Sequence, residues 1–357
     1  DQKLIIALDE FQWMVESEKA LPSFLQQLWD QDWQKRNAVM LILCGSFVGF
    51  MEREVLGKRS PLFGRRTGQV KLGCLSYREA ALFHPRLSTT AKAETFFVCG
   101  GIPWYHRQFS GQRSSAQNIV ETMLGEFSPL AREADFLLHE ELGDVPNYYS
   151  ILTAIGEGHV RVVDIAKRVG IERGALTYYL GQLCELGYLV KRYPLTGGPT
   201  VARTVRYAIS DPMLKFWFRF VFPHLSSMRE NPQLAFTSFI RPHLESYFGS
   251  CFETMCREAL RQRYVSEAVA GFQVGEYWDK NVQIDVVGYR EDGWVDLGEC
   301  QWGPVRSLKK LASELDTKVS QYPNERNATV GRLLFIARGV KGTMPDSCQR
   351  YSLEDLY

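Results

Sequence analysis

The chain has 357 residues, of which 45% are hydrophobic and 23% charged, which is typical of a globular protein with two or three domains. Its net charge of +1 provides no global field that would direct it to nucleic acid or to a membrane. The eight cysteines form no C-x-x-C pair, which excludes zinc-ribbon and thioredoxin-like sites. Without a recognisable signal peptide or an 18-residue apolar run, we expect a cytoplasmic protein with reduced thiols and no membrane partner.

The first feature along the chain is an apolar run that leads directly into two acids. Residues Leu4 to Leu8 have the continuous apolar character of a buried parallel strand, and Asp9 and Glu10 follow it. Ligands of open α/β sheets bind beyond the carboxyl ends of such strands. Acids in that place can hold Mg²⁺ and position a water molecule for phosphoryl transfer. The pattern predicts a phosphate-related site that contains Asp9 and Glu10.

A helix and a second strand follow. The apolar residues of the helix repeat at steps of three and four: Leu21, Phe24, Leu25, Leu28 and Trp29. The run from Ala38 to Cys44 indicates another buried strand, which ends at Gly45-Ser46. Strand, helix and strand in this order predict a parallel βαβ unit.

Two adjacent arginines lie in the loop that follows. The segment from Ser60 to Gly68 is rich in turn-forming residues and contains Arg65 and Arg66. A guanidinium group pairs bidentately with phosphate oxygens, so either arginine could stabilise charge in phosphoryl transfer. The alternative is a surface loop with two solvated arginines.

Several motifs appear in a fixed order over the first 145 residues. They are LDEFQ (8–12), LCGSF (43–47), SPLFGRR (60–66), a predicted strand containing Val70-Lys71-Leu72, LSYREA (75–80) and CGGIPWY (99–105). Together they resemble the archaeal-type ATPases, a branch of the STAND and AAA+-like P-loop ATPases. The first motif resembles a Walker B motif. The chain departs from this family because it contains no G-x-x-x-x-G-K-[ST], and we therefore expect the phosphate-binding loop in an N-terminal part that precedes residue 1.

The resemblance implies a role for each matching residue. Asp9 would bind Mg²⁺, and Glu10 would polarise the attacking water. Ser46 would sense the γ-phosphate, although it could simply cap the next helix. Arg65 or Arg66 would be the arginine finger. The implied ligands of the intact protein are ATP and Mg²⁺. The implied function is an ATPase that couples nucleotide state to domain arrangement, and one form of this hypothesis places the ATPase on DNA.

From residue 147 the pattern changes to short helices and a hairpin, the order of a winged helix-turn-helix. Within residues 147–210, eight Lys and Arg residues against four Asp and Glu residues leave a net charge of +4. The residues expected to face DNA are Arg173, Thr177, Tyr178 and Gln182 on the third helix and Lys191, Arg192 and Arg203 on the wing. The alternative is a structural or protein-binding module.

The C-terminal part of the chain contains acids at a characteristic spacing. Glu253 in a predicted helix, Asp285 in a strand, and Glu299 and Gln301 on one face of the next strand resemble the PD-(D/E)xK nuclease fold. The resemblance implies that Asp285 and Glu299 bind Mg²⁺ and that Glu253 is a further acid of the site. Gln301 occupies the position of the motif's lysine and cannot supply its charge.

Three lysines on the helix that follows are the candidates for the missing charge: Lys309, Lys310 and Lys318. If none of them reaches the acids, Asp285 and Glu299 are relics on an inactive fold. A Mg²⁺-dependent nuclease is therefore a further alternative to the ATPase, and a non-catalytic DNA- or protein-binding regulator on a degenerate ATPase scaffold is another.

Together these patterns predict an α/β, multidomain protein. The expected parts are a partial parallel-sheet P-loop ATPase core (1–90), a helical lid (91–146), a winged helix-turn-helix (147–211), a helical connector (212–250) and a restriction-endonuclease-like α/β domain (251–357). The expected partners are ATP and, as alternatives, DNA, a second copy of the chain or another protein.

Overall fold

The computed structural model describes residues 3–45, 51, 55, 57–142, 145–198, 201, 204–340 and 347–357. The chain forms helices, a parallel strand pair and a mixed sheet, so the predicted α/β class is confirmed. It divides into two compact units, residues 1–73 and 74–357. None of the helices in the described ranges combines the length and apolar character that a membrane span requires.

The first unit is built around two parallel strands. Strand β1 (Leu4–Leu8) pairs with β2 (Val39–Leu43), and Leu4 lies opposite Val39 and Leu8 opposite Leu43. The helices between them are α1 (Phe11–Ser17), α2 (Leu21–Leu28) and α3 (Gln34–Arg36). The expected strand–helix–strand order is therefore present, with the two strands in register.

Among the described residues, the helices of this unit pack against one face of the strand pair. Alternate strand residues, Leu8, Leu41 and Leu43, pack against the core formed by Phe11, Val15 and Leu25, which are buried. On the opposite face, Ile5 is 65% exposed, Met40 59% and Ile42 36%. Parallel sheets are ordinarily covered on both faces, so this apolar face has the composition of an interior surface.

The strand predicted around Val70-Lys71-Leu72 is absent, and that prediction was wrong. These residues have no regular structure, and Val70 and Leu72 are 83% and 90% exposed. A strand requires a neighbour to accept its hydrogen bonds. No strand in the described ranges pairs with this segment.

The second unit begins with a body of short helices. Up to residue 141 these are α4 (Tyr77–Ala81), α5 (Thr89–Cys99), α6 (Pro103–Gln108), α7 (Ser115–Ile119) and α8 (Glu133–Glu141). Further on they are α12 (Pro212–Phe216), α13 (Leu225–Glu230) and α14 (Pro232–Ala235). Trp217 is fully buried and donates from its indole Nε1 to the carbonyl of Ala131 at 3.0 Å. The aromatic-rich segment around Trp217 is thus part of the core.

Two histidines form a buried pair in this body. His84 and His106 are 4% and 2% exposed, and His84 Nε2 lies 3.2 Å from His106 Nδ1. His106 Nε2 lies 2.7 Å from the carbonyl oxygen of Gly100, which can only accept a hydrogen bond. His106 therefore donates from Nε2, and its Nδ1 accepts from His84. Burial lowers the pKa of both rings and thereby favours the neutral form of each.

We expect acid to destabilise the protein through this pair. Burial and the neighbouring His106 lower the pKa of His84 from 6.5 to about 4. The unfolded chain therefore binds a proton that the folded chain does not, and stability falls as the pH drops from 6.5 toward 4. The loss at pH 4.5 relative to pH 7 is about 2–3 kcal/mol. Urea unfolding of wild type and His84→Gln at both pH values measures it, and an equal pH dependence in the two proteins would contradict the prediction.

Residues 145–209 contain helices followed by a hairpin. The helices are α9 (Val145–Gly156), α10 (Val162–Val169) and α11 (Arg173–Glu185). Strand β3 (Leu189–Arg192) then pairs antiparallel with β4 (Arg206–Ile209). Buried Ile165, Leu176 and Leu180 join the helices to the main core of the unit.

The C-terminal part is a mixed sheet between two helices. Its strands lie in the order β5 (Phe272–Trp278), β6 (Gln283–Arg290), β7 (Trp294–Val305), β8 (Thr329–Val340) and β9 (Gln349–Ser352). The first three strands are antiparallel neighbours, whereas β7–β8 and β8–β9 are parallel. Helix α15 (Arg241–Ser266) precedes the sheet, and α16 (Leu308–Gln321) connects β7 to β8. On β8, Leu333 and Phe335 belong to the core with α15, whereas Leu334 and Ile336 pack with α16.

The segment after β3 and the C-terminal residues both form hydrogen bonds to distant parts of the second unit. The chain beyond β3 adds to the sheet edge at β5, because Pro194 pairs with Glu276 and the Leu195 amide donates to the Glu276 carbonyl at 2.8 Å. The end of the chain returns to the start of the unit. The Tyr77 hydroxyl and Arg78 Nε both donate to the Leu356 carbonyl, at 2.6 and 2.8 Å.

Candidate functional site

The first candidate site lies where β1 ends. The Glu10 amide donates to Asp9 Oδ1 at 3.0 Å, and both side chains are exposed. The Phe11 amide donates to the Cys44 carbonyl and the Cys44 amide to the Leu8 carbonyl, each at 2.9 Å. These bonds hold the two acids beside the carboxyl end of β2, as expected for a site at the edge of a parallel sheet.

The structure distinguishes the two arginines that the sequence could not rank. Arg65 forms a bidentate ion pair with Asp30, with Nε–Oδ1 and Nη2–Oδ2 distances of 2.8 and 2.7 Å, and this hydrogen bonding lowers the pKa of Asp30. Arg66 is exposed and donates to Gln69. Arg65 is thus committed to its own unit, and Arg66 is the more accessible. Ser46 lies outside the described residues.

The second candidate site is a group of carboxylates in the C-terminal part. Helix α15 supplies Glu253, β6 supplies Asp285 and β7 supplies Glu299. Burial and the charge of Asp285 raise the pKa of Glu253 and that of Glu299 to about 7. Burial also raises the pKa of Asp285. The three acids thus share a poorly solvated region in which the charge of Asp285 disfavours the ionisation of both glutamates.

A lysine lies among these acids, although β7 carries glutamine at position 301. Lys318 Nζ on α16 is 2.6 Å from Glu299 Oε2. Of the other two candidate lysines, Lys309 is exposed, and Lys310 forms an ion pair with Glu314 at 3.6 Å. Lys318 is therefore the cation that α16 places at the carboxylates.

Two further charged residues belong to this region and were missed from the sequence. Arg257 is 7% exposed and donates from Nη1 to the Asp285 carbonyl at 2.7 Å. It also lies 4.0 Å from Glu253 and 3.8 Å from Glu276, which is 5% exposed. The spacing of Arg257 one helical turn after Glu253 could have indicated from the sequence that the two side chains lie on one helix face. We call Glu253, Glu276, Asp285, Glu299, Arg257 and Lys318 the carboxylate cluster.

The donor set of this cluster suits a hard cation. Carboxylate oxygens are the ligands that Mg²⁺ uses, and Asp285 and Glu299 lie on neighbouring strands. The described residues nevertheless contain no group of three or more His, Cys, Asp or Glu side chains positioned to share a metal ion. Asp285 Oδ2 accepts from the Cys300 amide at 3.1 Å. A cation at Glu299 would replace Lys318 as its partner.

The residues predicted to bind DNA are in two different situations. On α11, Arg173 and Thr177 are exposed, Tyr178 is 62% exposed and Gln182 is half-buried. Together with the exposed Lys191 they lie on the surface of the unit.

The hairpin, by contrast, directs its arginines at the C-terminal sheet. Arg192 Nε is 2.8 Å from Glu276 Oε1. Arg206 lies over the Trp278 ring at 4.2 Å and donates to Gln283 at 3.3 Å. Arg203 lies outside the described residues. Of the hairpin residues that were expected to face phosphates, Arg192 is thus engaged within the chain, together with Arg206, which was not among them.

Two comparisons place the chain among known proteins. Residues 217–312 match a family described as "Archaea bacterial proteins of unknown function", and the match includes Glu253, Arg257, Asp285 and Glu299. An uncharacterized protein of Methanocaldococcus jannaschii is 27% identical over 320 residues, which is 88% of this chain and 71% of that protein. Neither description names an activity.

Proposed function

We propose that this chain carries the Walker B strand and acids of a P-loop ATPase of the archaeal type, which couples nucleotide state to domain arrangement. The observation that carries the proposal is the pair of parallel strands in register, with Asp9 and Glu10 at their carboxyl end. The ordered motifs of the first 145 residues support the same assignment.

The bare face of the strand pair supports this proposal independently. Ile5, Met40 and Ile42 form an apolar surface on the side opposite α1 and α2. A P-loop core has helices on both faces of its parallel sheet. An additional layer on this face would bury these side chains, and each fully buried aliphatic side chain contributes about 1.5–3 kcal/mol.

The residues at the edge of the sheet have suitable chemistry for this function. Asp9 would hold Mg²⁺, which neutralises phosphate charge when bound. Glu10 would accept a hydrogen bond from the attacking water and orient it. Arg66 is the better candidate for the finger, because Arg65 is held by Asp30. Ser46 remains the predicted sensor.

ATP turnover by the protein translated from its complete gene tests the proposal. We expect phosphate release that depends on Mg²⁺ and stops when EDTA removes the metal. The Asp9→Asn variant should lose this activity. A purified protein that binds ATP-Mg²⁺ without turnover, or does not bind it, would instead favour the non-catalytic regulator on an ATPase scaffold.

The segment 145–209 enters the proposal as a winged helix that acts mainly as a contact module. Its helices and hairpin have the order of that fold. Its hairpin binds the C-terminal sheet through Arg192 and Arg206, which leaves α11 and Lys191 as the surface for a nucleic acid. DNA binding by this surface would be weakened by Arg173→Ala and would fall steeply with salt concentration.

The second candidate function is a Mg²⁺-dependent nuclease with a restriction-endonuclease-like fold. The observation that favours it is the ion pair of Lys318 with Glu299, which supplies a positive charge at the acids despite Gln301. Asp285 and Glu299 would hold the cation, which polarises the phosphate when bound. Lys318 would stabilise charge at the scissile phosphate, and Arg257 would fix the strand segment that carries Asp285.

We expect Asp285→Asn to abolish cleavage of plasmid DNA in Mg²⁺ or Mn²⁺, since a carboxylate of the donor set is lost. Lys318→Met should reduce the rate by about 100-fold, because a charge at the phosphate disappears. The control is Lys309→Met, which changes an exposed lysine of the same helix. This variant should cleave DNA at the wild-type rate. The absence of cleavage by the wild-type protein with either metal would exclude the nuclease function and leave the cluster as a structural network.

A further inference from the structure

Gln12 is a buried polar side chain that the assigned roles do not explain. It is 5% exposed, and its Nε2 donates to Glu10 Oε2. It lies in the first turn of α1, where side chains point back toward the helix N-terminus. A primary amide is rarely buried, because it must replace its hydrogen bonds to water. Its burial directly behind Glu10 therefore indicates a purpose in holding that carboxylate.

The surroundings of Gln12 fix its amide on the side of β2. A Cβ atom placed on Gly45 would lie 2.7 Å from Gln12 Oε1, so the glycine allows the amide to approach the end of the strand. The Phe11 amide donates to the Cys44 carbonyl at 2.9 Å, which anchors the same turn. Gln12 thus fills the space between Glu10 and the carboxyl end of β2.

The backbone at Glu10 is also unusual. Its φ and ψ angles are 47° and 48°, in the left-handed region that residues other than glycine seldom adopt. Such conformations persist when the surrounding structure determines them, and they occur often at functional sites. Here the Glu10 amide donates to Asp9 and the Phe11 amide to the Cys44 carbonyl, so hydrogen bonds on both sides accompany the conformation.

We propose that Gln12 is a positioning residue that sets the direction of the Glu10 carboxylate toward the attacking water. The inference rests on the proposed ATPase function. A neutral amide suits this role, because it fixes one carboxylate oxygen without cancelling the charge that polarises water. A lysine at the same place would pair with Glu10 and compete with Mg²⁺ and water for it.

The test is ATP turnover by the protein from the complete gene, with Gln12→Met as the main variant. Methionine has nearly the same length and tolerates burial, but it has no donor. We expect kcat to fall by about tenfold while KM for ATP stays within about twofold, since Gln12 acts on the chemical step and not on binding. Gln27→Met makes the same change at an exposed position of α2 and should behave as wild type.

A double variant separates a positioning role from a structural one. If Gln12 acts through Glu10, adding Gln12→Met to Glu10→Gln should cause no further loss, measured by single-turnover hydrolysis. A tenfold loss that persists in the Glu10→Gln background would overturn the inference, as would an unchanged kcat in Gln12→Met alone. Absence of turnover in the wild-type protein would overturn the proposed function itself, and the inference with it.

Discussion

Replacing Glu10 by glutamine in the protein from the complete gene is expected to lower ATP turnover by about 100- to 10,000-fold, the range for loss of a general base. Binding of ATP-Mg²⁺ should remain, because Asp9, the proposed metal ligand, is unchanged. Glu10 is exposed at the end of β1, where it can reach a substrate, and glutamine keeps its size. Steady-state turnover and binding of a fluorescent ATP analogue measure the two effects separately.

A matched control is available on the same helix segment. Glu16 is exposed on α1, and Glu16→Gln makes the same chemical change away from the carboxyl ends of β1 and β2. We expect this variant to turn over ATP like wild type. If Glu10→Gln retained more than about a tenth of the wild-type rate, the carboxylate could not be the group that orients water.

Replacing Arg257 by leucine is expected to destabilise the second unit by about 3–5 kcal/mol, as when one partner of a buried ion pair is removed. Arg257 is 7% exposed, and it donates to the Asp285 carbonyl at 2.7 Å. It is also within 4.0 Å of Glu253 and 3.8 Å of Glu276. Without it, acids that already repel each other lose a shared cation. Urea unfolding followed by circular dichroism measures the change.

Arg261→Leu provides the comparison on the same helix. Arg261 is exposed and donates to the Val274 carbonyl at 3.2 Å, so its loss should change the free energy of unfolding by no more than about 0.5 kcal/mol. A loss below about 1 kcal/mol in Arg257→Leu would mean that the acids of the cluster are solvated or neutral in the folded protein. Arg192, which pairs with Glu276, would then be the dominant cation of the region.

The parts of the fold that follow from local pattern were predictable from the sequence. The apolar runs gave β1 and β2 and hence the position of Asp9 and Glu10, because a buried parallel strand has a distinct composition. The prediction of a strand around Val70 was wrong, because alternating apolar residues form a strand only where a neighbouring strand is present. The pairing partner is a tertiary property that these residues do not encode by themselves.

Of the acids in the candidate sites all but Glu276 were predictable from the sequence, whereas the cations were narrowed to candidates or missed. Glu253, Asp285 and Glu299 stand at the expected places on a helix and two strands. Which lysine of α16 reaches Glu299 depends on how the helix crosses the sheet, and this angle cannot be read from spacing. The sequence predicts Arg192 as a wing residue that faces DNA. In the structure it pairs with Glu276, which lies 84 positions further along the chain. Contacts of such separation are set by packing alone.

The bonds from Tyr77 and Arg78 to the Leu356 carbonyl give the second unit an almost closed topology. Its first helix and its last residues meet, so a short linker could join them without stretching the chain. If the joined chain were then cut at Gly158, in the turn between α9 and α10, every strand pair of the C-terminal sheet would stay intact. A circular permutant with this new order of elements should therefore retain the native core. A pulling force applied at Tyr357, conversely, would act on helix α4 through the Leu356 carbonyl before it reached the sheet.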